Sequence, residues 1–240
     1  MMSVDYRRVN VDNRRLSRVS SLRMKSGRAY LDQVKRRSIL TGIADYLGRS
    51  SVATIMDASI LDVRADLAIE IDEHECARRI DANAGRFDDF DTVMFLMGLP
   101  HHEAVPIASL SAEERRMLDR APGGSVDVRG DSVIRLACPP TRSVLAVVYD
   151  DDWLRGLRAA SVFAPVATRM LIMPTLPADA GILLAEAAEY GIGVGTPSDT
   201  GVAIHLAPQV WRQRYFTPGG WLFREQVYQL AASQGVTAPS

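Results

Sequence analysis

Cysteine is nearly absent from this 240-residue chain; Cys76 and Cys138 are the only two. Two thiols make no disulfide framework, so the fold must rest on its core, and a reducing cytoplasm is the expected compartment. No apolar run reaches the roughly 18 residues of a membrane span, which excludes a transmembrane helix. The N-terminal residues are charged and lack an apolar stretch, so no secretory leader is expected. An excess of one charge is missing too: 28 basic residues face 29 acidic ones, a net charge of −1. That excludes a uniformly polybasic or polyacidic protein. With 47% hydrophobic and 24% charged residues, the composition is that of a soluble globular protein able to bury a sizeable core.

Charge is unevenly placed. Residues 1–37 hold eleven basic side chains against Asp5, Asp12 and Asp32, a net of +8, which leaves −9 on the other 203 residues. A basic arm on an acidic body suggests a polyanion, most often nucleic acid. The candidate phosphate contacts are Arg14, Arg15, Arg18, Arg23, Lys25, Arg28, Lys35, Arg36 and Arg37. Arginine suits that role because its planar guanidinium donates two parallel hydrogen bonds. The other reading is an arm that docks on the acidic surface of its own chain or of a neighbouring copy, giving a homo-oligomer.

Periodicity divides the chain into a basic arm (1–37), a first α/β unit (38–121), a second (125–208) and an aromatic C-terminal segment with a helix (209–240). A helix is predicted from Gly27 to Gly48, capped by Ser26. Strands are predicted at 51–56, 61–72 and 92–97, with a helix at 73–83 between the last two. Ser111 and Glu114 form a capping box for a helix at 112–120, and Pro122-Gly123-Gly124 marks a boundary. In the second unit the pattern predicts strands at 125–128, 132–137, 143–149, 170–173, 192–195 and 202–206. Helices are predicted at 153–163, capped by Asp152, and at 178–190. A last amphipathic helix runs over 221–232. The fold class is α/β, with mixed sheets flanked by helices.

The sharpest pattern is at 61–72, where Asp62, Arg64, Asp66, Ala68, Glu70 and Asp72 alternate with apolar residues. Period two predicts a half-buried strand with a polar, solvent-facing side. Asp66, Glu70 and Asp72 are the candidate catalytic carboxylates of a Mg²⁺-dependent nuclease, and Glu70 and Asp72 the candidate metal ligands, since Mg²⁺ takes oxygen donors. No other cofactor is expected. Gly191, Gly193 and Gly195 follow a helix and precede a strand, the reverse of a dinucleotide fingerprint. They read as a helix C-cap and as sites of close backbone approach. His205, flanked by apolar residues, reads as a packed core histidine. Trp211, Tyr215, Phe216, Trp221, Phe223 and Tyr228 interleave with Arg212, Arg214 and Arg224, a composition that suits base stacking, a protein interface or packing of the last helix.

Residues 130–208 resemble part of the restriction-endonuclease-like superfamily. The likeness rests on Asp131 after Arg129-Gly130, the apolar strand ending at Tyr149, Trp153 opening a helix, and the strand, helix and GIGV turn that follow. In that superfamily an Asp opens the site, and an E-x-K pair on the next strand holds Mg²⁺ and activates water. Asp131 would be the Asp, but the E-x-K positions fall on Val147 to Asp150, which reads V-V-Y-D. A second placement uses Asp57 with Glu70-Ile71-Asp72. The resemblance implies a degenerate member that keeps the shape and nucleic-acid contact without cleavage.

Overall fold

The computed structural model describes residues 31–49, 51–213 and 215–236. The Ser26 cap and Arg14, Arg15, Arg18, Arg23, Lys25 and Arg28 of the arm lie outside the described residues. The first helix, α1 (Gln33–Tyr46), is capped by Asp32, whose carboxylate accepts the Lys35 N–H at 2.7 Å. Its buried stripe is Arg36, Ile39, Leu40, Ile43 and Ala44, the 3.6-residue period of an amphipathic helix.

Strands β1 (Ala53–Ile60) and β2 (Val63–Ile71) form a hairpin. Leu61 and Asp62 are its two-residue turn, both with positive φ, and not the first residues of a strand. Helix α2 (Glu73–Asp81) follows, then α3 (Phe90–Gly98). The strand expected at 92–97 is thus a helix. Asp89 caps it by accepting from both the backbone and the hydroxyl of Thr92, and Val93, Leu96 and Phe95 turn inward while Met94 stays exposed. A short apolar run fits either period, and here the cap decides.

Strand β3 (Ala104–Pro106), a 3-10 turn at Ile107–Ser109 and α4 (Ala112–Asp119) come next; α4 carries the expected Ser111–Glu114 capping box. Strands β4 (Val126–Arg129) and β5 (Ser132–Arg135) join β3 in a small antiparallel sheet ordered β3-β5-β4. The chain then runs through β6 (Thr141–Tyr149), α5 (Trp153–Ser161), β7 (Thr168–Ile172), α6 (Ala180–Glu189), β8 (Gly193–Ser198), β9 (Gly201–Leu206) and α7 (Pro218–Ser233). The main sheet is six-stranded and mixed, ordered β1-β2-β6-β7-β8-β9, with β6, β7 and β8 parallel and the other pairs antiparallel. Strands from both expected α/β units join in it, so the units share one core.

Helices α5, α6 and α7 cover one face of this sheet, through Leu157, Ala160, Leu183, Ala187, Phe223, Val227 and Ala231. Helix α1 covers the other, over Met56, Ala68, Leu145, Val147, Tyr149, Met170 and Ile172. On the polar side of β2, expected to meet solvent, Asp66 and Ala68 therefore lie buried under α1, whereas Arg64 at one end is exposed and Glu70 half-buried. A third cluster, with Phe87, Leu96, Leu99 and Val133 around the fully buried Trp221, seats the 87–137 segment against α7. Gly193 faces the Met170 sulfur and Pro208 so closely that a Cβ there would overlap both. Among the described residues no helix is long and apolar enough to cross a membrane.

A buried ion network fastens α2 to α7. Arg79 donates from Nε to Glu75 at 2.7 Å and from Nη1 and Nη2 to both oxygens of Glu225 at 2.7 and 2.6 Å. Glu225 also accepts from the indole N–H of Trp221, and Arg78 closes a fork on Glu75. Burial opposes the Arg79 charge, yet Glu225 and Glu75 raise its pKa above the ordinary value. The Cys138 thiol sits beside the same network. Burial and the nearby Glu75 and Asp72 push it up to about 12, and burial also raises Cys76. At pH 8 a thiol of pKa about 12 is ionised to roughly one part in ten thousand. With Cys76 replaced by serine, Cys138 in the native protein should therefore react with a disulfide reagent far more slowly than in the urea-unfolded chain; equal rates at pH 8 would refute the placement.

Candidate nucleic-acid interface and the carboxylates of the second strand

The three candidate catalytic carboxylates do not share a site. Asp66 is wholly buried and receives the Arg36 guanidinium, from Nε at 2.9 Å and from Nη2. Arg36 also reaches Asp57, from Nη1 at 3.2 Å and Nη2 at 3.1 Å. Asp57 stands at a bulge in β1, with φ 55°, and its backbone N–H donates to Asp66 at 2.9 Å. Tyr149 completes the enclosure: its ring lies 5.2 Å from the guanidinium carbon and its hydroxyl donates to the Arg36 carbonyl. Burial works against the Arg36 charge, but the bonds from Asp66 and Asp57 outweigh it and raise its pKa.

Glu70 faces a different arginine, Arg49, at 3.7 Å. Asp72 lies past the end of β2 and serves as the N-cap of α2, accepting the Glu75 N–H at 3.1 Å. Burial pushes the Asp72 carboxyl up, but that N–H and the Arg142 guanidinium, 3.0 Å away, hold it below the usual range. One arginine for each carboxylate meets the demand that alternating acids make for a cation. Among the described residues no three His, Cys, Asp or Glu side chains form a group that could hold a metal ion.

Asp131 is exposed at the turn between β4 and β5, in the small sheet. It does not neighbour Val147, which sits on the main sheet. The residue across from Val147 is Asp66. Of the arm, Arg37 is exposed, Lys35 is half-buried and Arg36 is turned inward. Arg36 is thus corrected from a phosphate contact to a buried partner of Asp66. The signal for this was present: Arg36 precedes Ile39, Leu40 and Ile43 by three, four and seven residues, on the helix face that meets the sheet. His205, expected in the core, is exposed, its Nε2 2.9 Å from the Thr196 hydroxyl.

The aromatic segment before α7 forms a shallow cleft. Trp211, Gln213, Tyr215, Phe216 and Arg224 line it, with Thr217, Gly220, Pro165 and Val166 at its edges. The Arg224 guanidinium carbon lies 5.8 Å from the Trp211 ring centre, within range of a cation–π contact, and its Nη2 donates to Gln213 Oε1 at 2.7 Å. Tyr215 is 83% exposed, and Phe216 leans on Trp221 with ring centres 5.5 Å apart. Burial lowers the Arg224 pKa, the opposite of what Arg36 and Arg79 show, because Arg224 has no ion-paired carboxylate among the described residues. No family model, curated protein or solved structure matches the chain.

Proposed function

We propose that this protein binds nucleic acid without cutting it, through a nuclease-like body that holds an arginine in place of a catalytic metal. The observation that carries the reading is the Arg36 guanidinium seated between Asp57 and Asp66. In the restriction-endonuclease-like pattern an Asp on one strand works with E-x-K on the next. Here the strand beside Asp66 offers Val147 opposite it and Tyr149 two residues on. The only lysines in the chain are Lys25 and Lys35, so residues 38–240 contain none to activate water. Binding is supported by the +8 charge of residues 1–37 against −9 elsewhere.

On duplex DNA the logarithm of affinity should fall with the logarithm of salt at about −0.9 per phosphate contact. Replacing Arg14, Arg15, Arg18 and Arg37 by alanine should flatten that slope by roughly three to four. Plasmid should stay intact with Mg²⁺ at every protein concentration that shifts it in a gel. Plasmid cleavage lost in Glu70→Ala would favour the Mg²⁺ nuclease instead. An unchanged slope, with the alanine variant shifting from oligomer to monomer, would make the arm a contact between copies.

A further inference from the structure

We infer that the Trp211–Arg224 cleft takes an unpaired nucleotide of a nucleic-acid strand, with its phosphate on Arg224 and its base against Tyr215 and Trp211. The inference rests on the nucleic-acid reading above and assigns that strand a place on the body, apart from the arm.

Arg224 is the first reason. A guanidinium withdrawn from water needs an anion or a full set of acceptors to remain charged at little cost. The half-buried Arg78 and the buried Arg36 and Arg79 all have carboxylates. Among the described residues Arg135 and Arg169 have no carboxylate partner, but they donate to main-chain carbonyls, of Leu96 and Tyr190. Arg224 instead donates to the neutral amide of Gln213, an exposed side chain on the rim of an open cleft. A phosphate oxygen displacing that amide would supply the missing counter-charge, and a guanidinium fork matches it in shape.

The aromatics are the second reason. Tyr215 presents nearly its whole ring to solvent, at the mouth of the cleft that Trp211 lines. A base stacked on such a ring gains roughly fivefold to a hundredfold in affinity, whatever its identity. Duplex bases are already stacked and paired and cannot offer their faces. The cleft therefore selects single strands, whereas a basic arm on phosphate does not.

The test is fluorescence anisotropy with the full chain, on labelled ten-residue oligo-dT, ten-residue oligo-U and a ten-base-pair duplex. Wild type should bind the single strands, and the two oligomers separate DNA from RNA as the source of the nucleotide. Tyr215→Ser and Arg224→Gln should each weaken single-strand binding about tenfold and leave duplex binding unchanged. Tyr215 is so exposed that its substitution cannot be blamed on unfolding, and matching melting midpoints will verify this for both variants. If single-strand affinity is unchanged in both, the cleft assignment falls while the nucleic-acid reading stands. If wild type binds neither strand nor duplex, both fall. Equal losses on duplex, or a dimer in sedimentation that Tyr215→Ser dissociates, would also overturn it, the latter by making the cleft a self-contact.

Discussion

Arg79→Met is expected to lower the unfolding free energy by about 3 to 5 kcal/mol, the range for removing one partner of a buried ion pair. The substitution leaves Glu75 and Glu225 in the interior, 3% and 1% exposed, with Arg78 alone among the described residues to offset two carboxylates. Methionine fills much of the arginine stem, so the loss reports the uncompensated charge more than a cavity. Glu225 also loses its tie to the loop at 138, since Arg79 Nη2 donates to the Cys138 carbonyl. Arg86→Ala supplies the contrast. Its partner Asp88 is exposed, and pairs of that kind contribute about 0 to 1 kcal/mol. Urea melts of the two variants should differ severalfold in midpoint shift, at equal slopes. Similar small shifts for both would mean that water reaches the α2–α7 network.

Much of the fold could be read from local rules. The Ser111–Glu114 box, the Asp152 cap of α5 and the apolar run at 144–149 that makes most of β6 each depend on residues within a few positions of one another. Gly191 just past α6, with φ 66°, belongs with them. The misreadings share a cause. Whether the alternating acids of β2 meet water or a helix depends on α1, which lies some thirty residues earlier. Periodicity reports that a face is polar, not what covers it. Charge alone puts Arg36 with the arm, whereas its spacing from Ile39, Leu40 and Ile43 puts it on the buried stripe. The six-stranded sheet brings β2 beside β6 across a seventy-residue excursion, and no spacing rule announces that Asp66 will face Val147. The cleft was legible as composition only; that Arg224 would lie on Trp211 is a tertiary fact.

Arg36→Ala should both destabilise the protein and create a response to divalent cations that wild type does not show. The loss should again be about 3 to 5 kcal/mol, because Asp66 would stay buried without its guanidinium. The second effect follows from where that guanidinium sits. It bonds Asp57 and Asp66 together, as a cation with oxygen ligands would, and alanine opens a space between two carboxylates that already converge. Like charges so placed favour a shared cation. Mn²⁺ at about a hundred times its dissociation constant would return roughly 2.7 kcal/mol, read as a rise in melting temperature. Wild type should show no rise, since Arg36 occupies the space. Adding Asp66→Asn to Arg36→Ala should relieve the buried charge, recovering part of the stability, and abolish the Mn²⁺ effect by removing a ligand. If the single variant stays blind to Mn²⁺ and melts like wild type, then Arg36 does not hold these carboxylates, and the account of a nuclease-like site closed by its own arginine fails with it.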